Sequence, residues 1–496
     1  MPGISISTAV RTGPVNAGLA PASTFFVVGE TERGPDTAAF AVGSLEEYTT
    51  LYGGYEANKY TYQQIRTFFE EGGARAVVGR VSASGGDIAS KALVANPSSA
   101  AGITLTAVGK GDWGNSMYVA VVNNEDDDFG ITLYYGGTQT SNIVAQTSGH
   151  VSLTSAIQTI NNSASFGRYC TAALTGGASA TALLADLAVA AFTGGDDDTV
   201  AESDFTGALS LFTEEFGAGA VSIPGLADGT TDATVWDAIK NHCEANNRIG
   251  ILSFHSGAEA GDVASASTDY GASDNTDHEY LAMYYPWVTI PSGSGVNLSI
   301  PPDAYVAANR SKAHNGIGTW DAFAGVSSEG RFVNGIQTAI SRTTGNTLDE
   351  ARVNAIRVIN GAVRIYGARS HSTNTAQWRF ITHRDTINYV VDRCLNALEP
   401  LIFSTINGRR TIYADIKSAI QGVMEPIRIA GGLYEGFDAL GRQVDYGYTI
   451  KVDDSLNPVS QLESGLVKAQ VGIRVSSIGD KIEVNLIKSN LTTTLV

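Results

Sequence analysis

Several side chains in this sequence are of types that bind metals, and their spacing decides whether they could do so. Zinc accepts imidazole and thiolate ligands, which His242, Cys243, His255 and His278 could supply. Their spacing fits no compact zinc motif, and the adjacent residues His242 and Cys243 cannot share one helical face. We therefore interpret all four as ordinary packed side chains and predict no metal site.

Two runs of acidic residues, 126–128 and 196–198, raise the question of calcium binding. A dedicated calcium loop alternates its oxygen ligands along the chain and ends on a distal glutamate. Neither run has that pattern. We interpret both as solvated loop charges.

The residues Ser253, His255 and Asp262 contain the side-chain types of a hydrolase triad. No G-x-S-x-G turn surrounds a serine, and a shared strand would point Ser253 and His255 to the same face without an orienting acid. No glycine-rich G-x-G-x-x-G follows a predicted strand, and no GK[ST] motif could hold a nucleotide phosphate. The sequence therefore predicts no active site, no cofactor and no enzymatic activity.

Four consecutive residues, Tyr284, Tyr285, Pro286 and Trp287, could form a platform that stacks on sugar rings. That interpretation favours a surface adhesin or carbohydrate-binding module, which is the alternative function. Adjacent aromatic residues on a strand often face opposite packed layers instead. We favour a buried core strand at this position.

The composition indicates a foldable chain of about two to four domains. Of its 496 residues, 43% are hydrophobic and 17% are charged, and the net charge is -18. This charge opposes direct contact with nucleic-acid phosphates or anionic lipids. The three cysteines are too few to staple the chain, and we expect neither a signal peptide nor a membrane-inserted segment.

Apolar runs and helical periodicity predict an α/β unit near the start of the chain. Its elements are a strand at 25–29, helices at 44–54 and 61–73, and a strand at 74–81. Ser44 and Glu47 have the spacing of a helix-capping box. We expect the two strands to lie in one sheet.

The middle of the chain changes in composition twice. Residues 86–200 are rich in small and polar residues and predict an inserted β-rich outer domain, with strands at 103–108, 117–122 and 131–135. Residues 201–345 return to an α/β pattern, in which a helix at 236–246 leads into a strand at 249–254.

The C-terminal third predicts two amphipathic helices followed by strands. The apolar face of the first helix, at 387–402, is formed by Ile387, Val390, Val391, Cys394, Leu395, Leu398 and Ile402. The second repeats the pattern at Ile412, Ile416, Ile420 and Val423. Alternation of period two predicts strands at 444–452, 466–475 and 481–487. We expect the terminal segments 1–21 and 489–496 to be extended, and neither has an obvious partner within the chain.

Several ordered segments resemble the contractile tail sheath family of phages, R-type bacteriocins and related injection systems. They are TFFVVGETERGP (24–35), FFEEGGARAVVGRV (68–81), GDWGN (111–115), YLAMYYPWVTI (280–290), IPPDAYVAANRSK (300–312), GTWDAFAG (318–325), VNAIRVINGAVRIYGARS (353–370), WRFITHRDTINYVVD (378–392) and NGRRTIYADI (407–416). One departure is Tyr366, where the family often has tryptophan.

The resemblance implies a multidomain α/β fold with a discontinuous core built from the N- and C-terminal parts of the chain. The implied divisions are an N-terminal arm (1–21), the first core part (22–85), the inserted domain (86–200), a middle α/β domain (201–345), a C-terminal core domain facing an inner tube (346–488) and a C-terminal arm (489–496). The arms would add strands to neighbouring copies, with Ile4, Ile6, Val10, Leu491 and Leu495 as contact residues.

By the same resemblance, the chain would be a structural subunit that polymerises helically with itself around an inner tail tube protein. Baseplate and tail terminator proteins would be its other partners. It would belong to a virion tail assembled in the bacterial host cytoplasm, or to a contractile injection particle. Arg409, Arg410 and Lys417 are the candidate tube-facing residues; the alternative is that they are solvated side chains near a helix N-terminus.

Overall fold

The computed structural model describes residues 23–57, 59–96, 101–124, 127–136, 142–175, 177–226, 233–272, 278–292 and 295–480. The chain is a mixed α/β protein with several sheets, which confirms the fold class predicted from the sequence. Both predicted terminal arms and the strand predicted at 481–487 lie outside the described residues.

The first part of the chain contains the two strands and two helices predicted from its sequence, and a further short strand at 40–42 that was not predicted. The elements are β1 (Thr24–Gly29), β2 (Phe40–Val42), α1 (Leu45–Tyr52), α2 (Thr61–Glu70) and β3 (Ala76–Arg80). Helix α1 begins after Ser44, whose Oγ accepts a hydrogen bond from the Glu47 N–H, while the Glu47 carboxylate accepts one from Gly43. These bonds satisfy backbone donors that the first turn leaves unpaired.

Residues 90–191 form two four-stranded antiparallel sheets and one helix. The elements are β4 (Ser90–Asn96), β5 (Ala101–Ala107), β6 (Met117–Asn124), β7 (Asp128–Tyr135), β8 (Ile143–His150), α3 (Leu153–Asn162), β9 (Cys170–Leu174), β10 (Leu183–Leu184) and β11 (Leu187–Ala191). The sheet orders are β10-β4-β5-β9 and β11-β6-β7-β8. Both sheets and α3 contribute side chains to one apolar core, so this segment is β-rich as expected.

The chain then alternates helices and strands up to residue 366. The elements are α4 (Glu202–Ala208), β12 (Gly219–Ser222), α5 (Ala233–Ala245), β13 (Ile249–Ser253), α6 (Ala260–Ala272), β14 (Leu281–Tyr285), β15 (Val288–Pro291), β16 (Asn297–Ile300), α7 (Asp303–Gly316), β17 (Gly335–Ile336), α8 (Arg342–Glu350), β18 (Val353–Ile359) and β19 (Ala362–Tyr366). Strands β16, β15 and β17 form a small separate sheet.

An eight-stranded sheet in the order β19-β18-β14-β13-β12-β1-β3-β2 is the centre of the fold. Its six inner strands are parallel, and the edge strands β2 and β19 are antiparallel to their neighbours. Alternate side chains of each strand enter apolar cores on opposite faces, as Phe25 and Phe26 do. Strands from the segments 22–85, 201–345 and 346–488 thus share one sheet, and the domain boundaries drawn between these segments remain a prediction.

The last part of the chain packs around two long helices. The elements are α9 (Thr375–Trp378), α10 (Ile381–Leu398), α11 (Thr411–Ile429), β20 (Gly436–Phe437), β21 (Gln443–Asp445), β22 (Tyr448–Lys451), α12 (Val459–Glu463) and β23 (Gln470–Ile473). Within the described ranges, none of the helices combines the length and apolarity of a membrane span.

Two predictions for this region need correction. Leu395 and Ile402 were expected on a buried helical face, but both are exposed, because α10 ends at Leu398 and α11 packs against another side of it. The single strand predicted at 444–452 is two strands, β21 and β22, in different sheets. Gly447, at φ +75°, turns the chain between them, and its N–H donates to Asp445.

Polar contacts join the β-rich segment to the central sheet. The Tyr135 hydroxyl donates to the Glu32 carboxylate at 2.9 Å. The Arg33 guanidinium lies over the rings of Tyr135 and Tyr169, at 5.1 and 4.8 Å from their centroids. Because aromatic faces attract cations, these contacts hold the loop after β1 against β7.

A buried ion pair connects α7 to α10. The Arg310 guanidinium donates to Asp385 from Nε at 3.0 Å and from Nη2 at 2.5 Å, and His314 Nε2 lies 3.5 Å from the same carboxylate. Arg310 is 2% exposed and Asp385 is 1% exposed. Burial tends to raise the pKa of Asp385, but the charges of Arg310 and His314 and their hydrogen bonds to the carboxylate together outweigh burial, and the pKa is lowered.

Two buried histidines meet beside α6. Their Nδ1 atoms, of His278 and His371, are 3.2 Å apart, and His371 Nε2 contacts the Ser267 hydroxyl and carbonyl, each at 3.0 Å. Tyr270 stacks on His278 at 4.5 Å. Burial, followed by the charge of Arg352, lowers the pKa of His371 to about 3.

Removal of the buried carboxylate should destabilise the fold. We expect Asp385→Asn to lower the free energy of unfolding by about 3 to 5 kcal/mol, because Arg310 then stays buried without its counter-ion. Urea unfolding measures the change. Asp392→Asn, on the same helix but partly exposed, is the control. The double variant Arg310→Met with Asp385→Leu should recover most of the loss, and an Asp385→Asn effect no larger than the control's would contradict this role.

Acid should destabilise the protein through His371. The pKa of His371 is about 3 in the folded state and about 6.5 in the unfolded chain. The contribution of neutral His371 to stability is therefore complete above about pH 6.5 and is lost as the pH falls toward about 3. Between pH 7 and pH 5 this loss amounts to about 2 kcal/mol. We expect His371→Gln to remove that part of the pH dependence, measured by urea unfolding at several pH values. His255→Gln is the control. If the free energy of unfolding changed with pH equally in the two variants, the assignment to His371 would be refuted.

Candidate assembly surface

Helix α10 belongs to two parts of the protein. Its first half is buried against the core, where Asp385 pairs with Arg310 and the Asn388 side chain donates to the Arg248 carbonyl. Its second half, from Val390, packs on α11 in a separate apolar cluster. We call the part of the chain that contains this cluster, residues 390–476, the C-terminal module. An 18-residue helix is about 27 Å long, so α10 fixes the module relative to the sheet.

A second contact supports the same arrangement. The Trp320 ring, in the loop after α7, packs beside Gly432, where a Cβ atom would lie only 2.6 Å from the indole. Only glycine allows so close an approach here. The module is therefore connected to the core both through α10 and through Trp320.

The module carries a sheet that, among the described residues, has only two strands, β22 and β23. One face, with Tyr448, Ile450, Val471 and Ile473, packs toward α11, and the alternate residues are exposed. A two-stranded sheet is marginal by itself, and within the described ranges each of these strands is paired along one edge only. This geometry can accept further strands from another chain.

An open groove runs beside β22 along one face of α11. Its lining residues are Lys417, Gln421, Glu425, Arg428, Tyr446, Tyr448, Thr449 and Ile450. Arg428 is paired with Glu425 and Glu435, at 2.8 and 2.6 Å. Lys417 has no ion-pair partner among the described residues, so it is the free charge of the groove.

The structure places the predicted tube-facing residues at different points of the module. Arg410 precedes α11 in a left-handed conformation, and its guanidinium is 2.6 Å from Asp454. Arg409 is exposed beside it, and the exposed Lys417 lies in the groove farther along α11. Arg410 is therefore partly neutralised, and the tube-facing role of all three residues stays a prediction.

The predicted arm residues cannot be placed. Ile4, Ile6, Val10, Leu491 and Leu495 lie outside the described residues. Their role in contacts between copies also stays a prediction.

Exposed apolar side chains in the module were not recognised from the sequence. Phe403 is fully exposed at a positive φ of 66°, and Ile429, Leu440 and Val459 are each more than 70% exposed. Exposed apolar clusters mark contact surfaces in many proteins. No local sequence pattern distinguishes these exposed residues from buried ones, because an apolar residue near a helix end is equally typical of a core.

Two of the histidines considered as zinc ligands have structural partners. His242 contacts Arg248 at 2.8 Å, and His278 meets His371. Among the described residues there is no group of three or more His, Cys, Asp or Glu side chains that could hold a metal.

The serine of the supposed triad is used elsewhere. Ser253 hydrogen bonds with the buried carboxylate of Asp303, which also accepts from Ser222 at 2.5 Å. Burial raises the pKa of Asp303 to about 6, and the hydroxyl donors oppose that shift. Asp303 therefore joins two strand ends to the start of α7.

The aromatic run is part of the core. Tyr284 and Tyr285 end β14 on opposite faces of the central sheet, and Trp287 donates from its indole nitrogen to the Phe254 carbonyl at 2.6 Å. All four residues of the run, Pro286 included, are buried. The core-strand interpretation is confirmed, and no ring face is available to stack on a sugar.

No protein-family model and no curated protein sequence matches this chain. Solved structures do match it over nearly its full length. The helical sheath of the anti-feeding prophage in its contracted state is 15% identical and has a TM-score of 0.56, with 98% of this chain and 99% of that chain covered.

Two further structures agree. The contracted sheath complex of PVC, an extracellular contractile injection system, is 13% identical with a TM-score of 0.55, covering 98% and 99% of the two chains. A sheath tail protein from Listeria innocua is 13% identical with a TM-score of 0.58, covering 89% and 90%. The chain therefore has the fold of the sheath proteins of contractile tails and injection systems.

Proposed function

We propose that this chain is the structural subunit of a contractile sheath. Copies polymerise helically around an inner tube, and the polymer shortens to drive the tube through a target cell envelope. The observation that carries the proposal is the match to contracted sheath structures over 98% of this chain and 99% of the others. A match of that extent includes the β-rich segment and the C-terminal module as well as the central sheet.

Contraction of this kind needs no bound nucleotide. A subunit that contacts its neighbours head to tail through a rotation that does not close forms a helical filament. Two packings of rigid subunits can differ in free energy through their interfaces alone. The double connection of the C-terminal module to the core, through α10 and Trp320, supports a rigid subunit.

Strand exchange is the proposed link between copies. The sheet of β22 and β23 offers edges, and the segments 1–21 and 489–496 supply β-prone chain that could pair with them. About twenty extended residues reach roughly 66 to 72 Å, enough for a neighbouring copy. The arms would keep copies joined while the subunits rotate.

The partners follow from this assembly. The chain would contact itself, the inner tube protein, and baseplate and tail terminator proteins, with no direct contact to nucleic acid and no membrane insertion. It would have no enzymatic activity or cofactor. Its place would be a virion tail assembled in the host cytoplasm, or a contractile injection particle.

Assembly of the purified chain tests the proposal. Negative-stain microscopy at high concentration should show tubes or ring stacks. Removal of residues 1–20 or 489–496 should abolish ordered polymers and leave thermal unfolding almost unchanged, because the composition of both segments predicts that they add little to any core. Val122→Ser, an exposed change on β6, is the control and should assemble normally. A chain that stays monomeric at every concentration would refute the function, and normal tubes from truncated chains would refute strand exchange.

Charge reversal tests the tube-facing residues. Arg409→Glu with Lys417→Glu should reduce extended sheath on inner tube about tenfold in low salt, since exposed ion pairs contribute about 0 to 1 kcal/mol each. Sheath formed without tube should be unaffected. Arg168→Glu, an exposed residue of the β-rich segment, is the matched control. Unchanged assembly on the tube at low salt would mean that these residues face solvent or another partner.

A further inference from the structure

A buried carboxylate organises the surface at the end of α2. Glu71, at 0% exposure, accepts hydrogen bonds from the backbone N–H groups of Arg331, Phe332 and Val333, at 3.0, 2.9 and 2.8 Å. These bonds hold the loop before β17 against the end of α2. The Glu71 oxygens are therefore already engaged as acceptors of backbone hydrogen bonds.

Two cationic side chains flank the next residue. A Cβ atom at Gly72 would lie 3.4 Å from Lys312 Cδ and 3.9 Å from Arg331 Nη1. Lys312 Nζ is 4.0 Å from Glu71. Burial lowers the pKa of Lys312, Glu71 opposes this, and the charge of Arg331 lowers it further. The lysine and the arginine are thus close enough to repel each other.

Two more arginines lie on α2 and just after it. The Arg66 guanidinium lies 4.9 Å from the centroid of the Phe332 ring, and Arg75 follows in the loop that leaves α2. Burial lowers the pKa of the half-buried Arg75. We name Arg66, Arg75, Lys312 and Arg331 the α2 basic patch.

The patch is not neutralised within the described part of the chain. Arg66, Arg75 and Arg331 make no ion pair there, in contrast to the arginines of the C-terminal module such as Arg428, Arg442 and Arg474. The acidic residues adjoining it in sequence are Glu71, the exposed Glu70 and Glu329, and Glu329 is paired with Arg364 at 2.9 Å, which leaves an excess of positive charge. The whole chain carries -18, so this surface has the opposite sign to the molecule around it.

We propose that the α2 basic patch docks on an acidic surface of a second copy of this chain. The inference rests on the proposed sheath function and is supported by charge complementarity. Neighbouring cations repel one another until an anionic partner binds, and every copy of the chain carries a net negative charge that can supply that partner. Nucleic acid fits poorly, because four cations can neutralise few phosphates and the net negative charge of the whole chain would repel the others.

The test compares the full-length chain with Arg66→Glu/Arg331→Glu, without inner tube protein. Lys312 and Glu71 stay unchanged, so the backbone bonds of the 331–333 loop are kept. At about 0.01 M salt we expect the double variant to need about tenfold more protein to form tubes, and at about 1 M salt the difference should vanish. Arg66→Gln/Arg331→Gln should give a smaller increase. Arg342→Glu, an exposed arginine of α8, is the control and should behave as the unmodified chain.

The outcomes separate this inference from the sheath function. An unmodified chain that never polymerises would refute both. An unmodified chain that forms tubes, with a correctly folded double variant that forms them at the same concentration and salt dependence, would overturn the inference alone. A defect seen only after inner tube protein is added would assign the patch to the tube and overturn contact with a second copy. Circular dichroism and urea unfolding establish that the variant is folded.

Discussion

The contact between Asp385 and Arg310 determines how the parts of this chain are arranged. Asp385 lies in the half of α10 that is buried in the core, and α10 continues from there into the C-terminal module. Arg310 lies on α7, which packs against the central sheet. A buried ion pair adds little net stability when compared with apolar packing, but an unpaired buried charge is costly, so other placements of α10 are strongly disfavoured. Together with the contact of Trp320 and Gly432, this ion pair therefore sets the orientation of the module.

The junction between the β-rich segment and the central sheet also uses polar groups between apolar cores. Glu32 and Arg33 hold Tyr135 and Tyr169 of the β-rich segment, whose apolar core is separate from those of the central sheet. Apolar packing is non-directional and tolerates small rotations, whereas hydrogen bonds and cation–π contacts depend on geometry. Directional junctions keep the parts of one subunit in fixed positions. They suit a subunit that transmits force, because a change in how subunits pack then alters the free energy of the contacts between copies. That role follows from the proposed sheath function.

Charge is distributed unevenly over the surface. In the C-terminal module, Arg428, Arg442 and Arg474 are each paired with nearby carboxylates, and the exposed side chains between them include apolar ones such as Leu440. The α2 basic patch is the contrasting case, because Arg66, Arg75 and Arg331 make no ion pair in the described part of the chain. Apolar surface contributes affinity over short range, and unpaired charge contributes orientation and salt dependence. A polymer that must form and later rearrange can use both.

The sequence by itself determined the local elements and the fold class. Strand β1, helix α1 with its Ser44 cap, and the apolar face of α11 all depend on neighbours a few residues away, which periodicity and capping rules describe. The ordered resemblance to sheath proteins added the fold. Only the tertiary structure decided that Leu395 is exposed, that Gly447 divides a predicted strand, and that residues as distant as 66 and 331 form one patch. Those outcomes depend on which elements become neighbours in space, and a pattern of nearest neighbours along the chain contains no information about that choice.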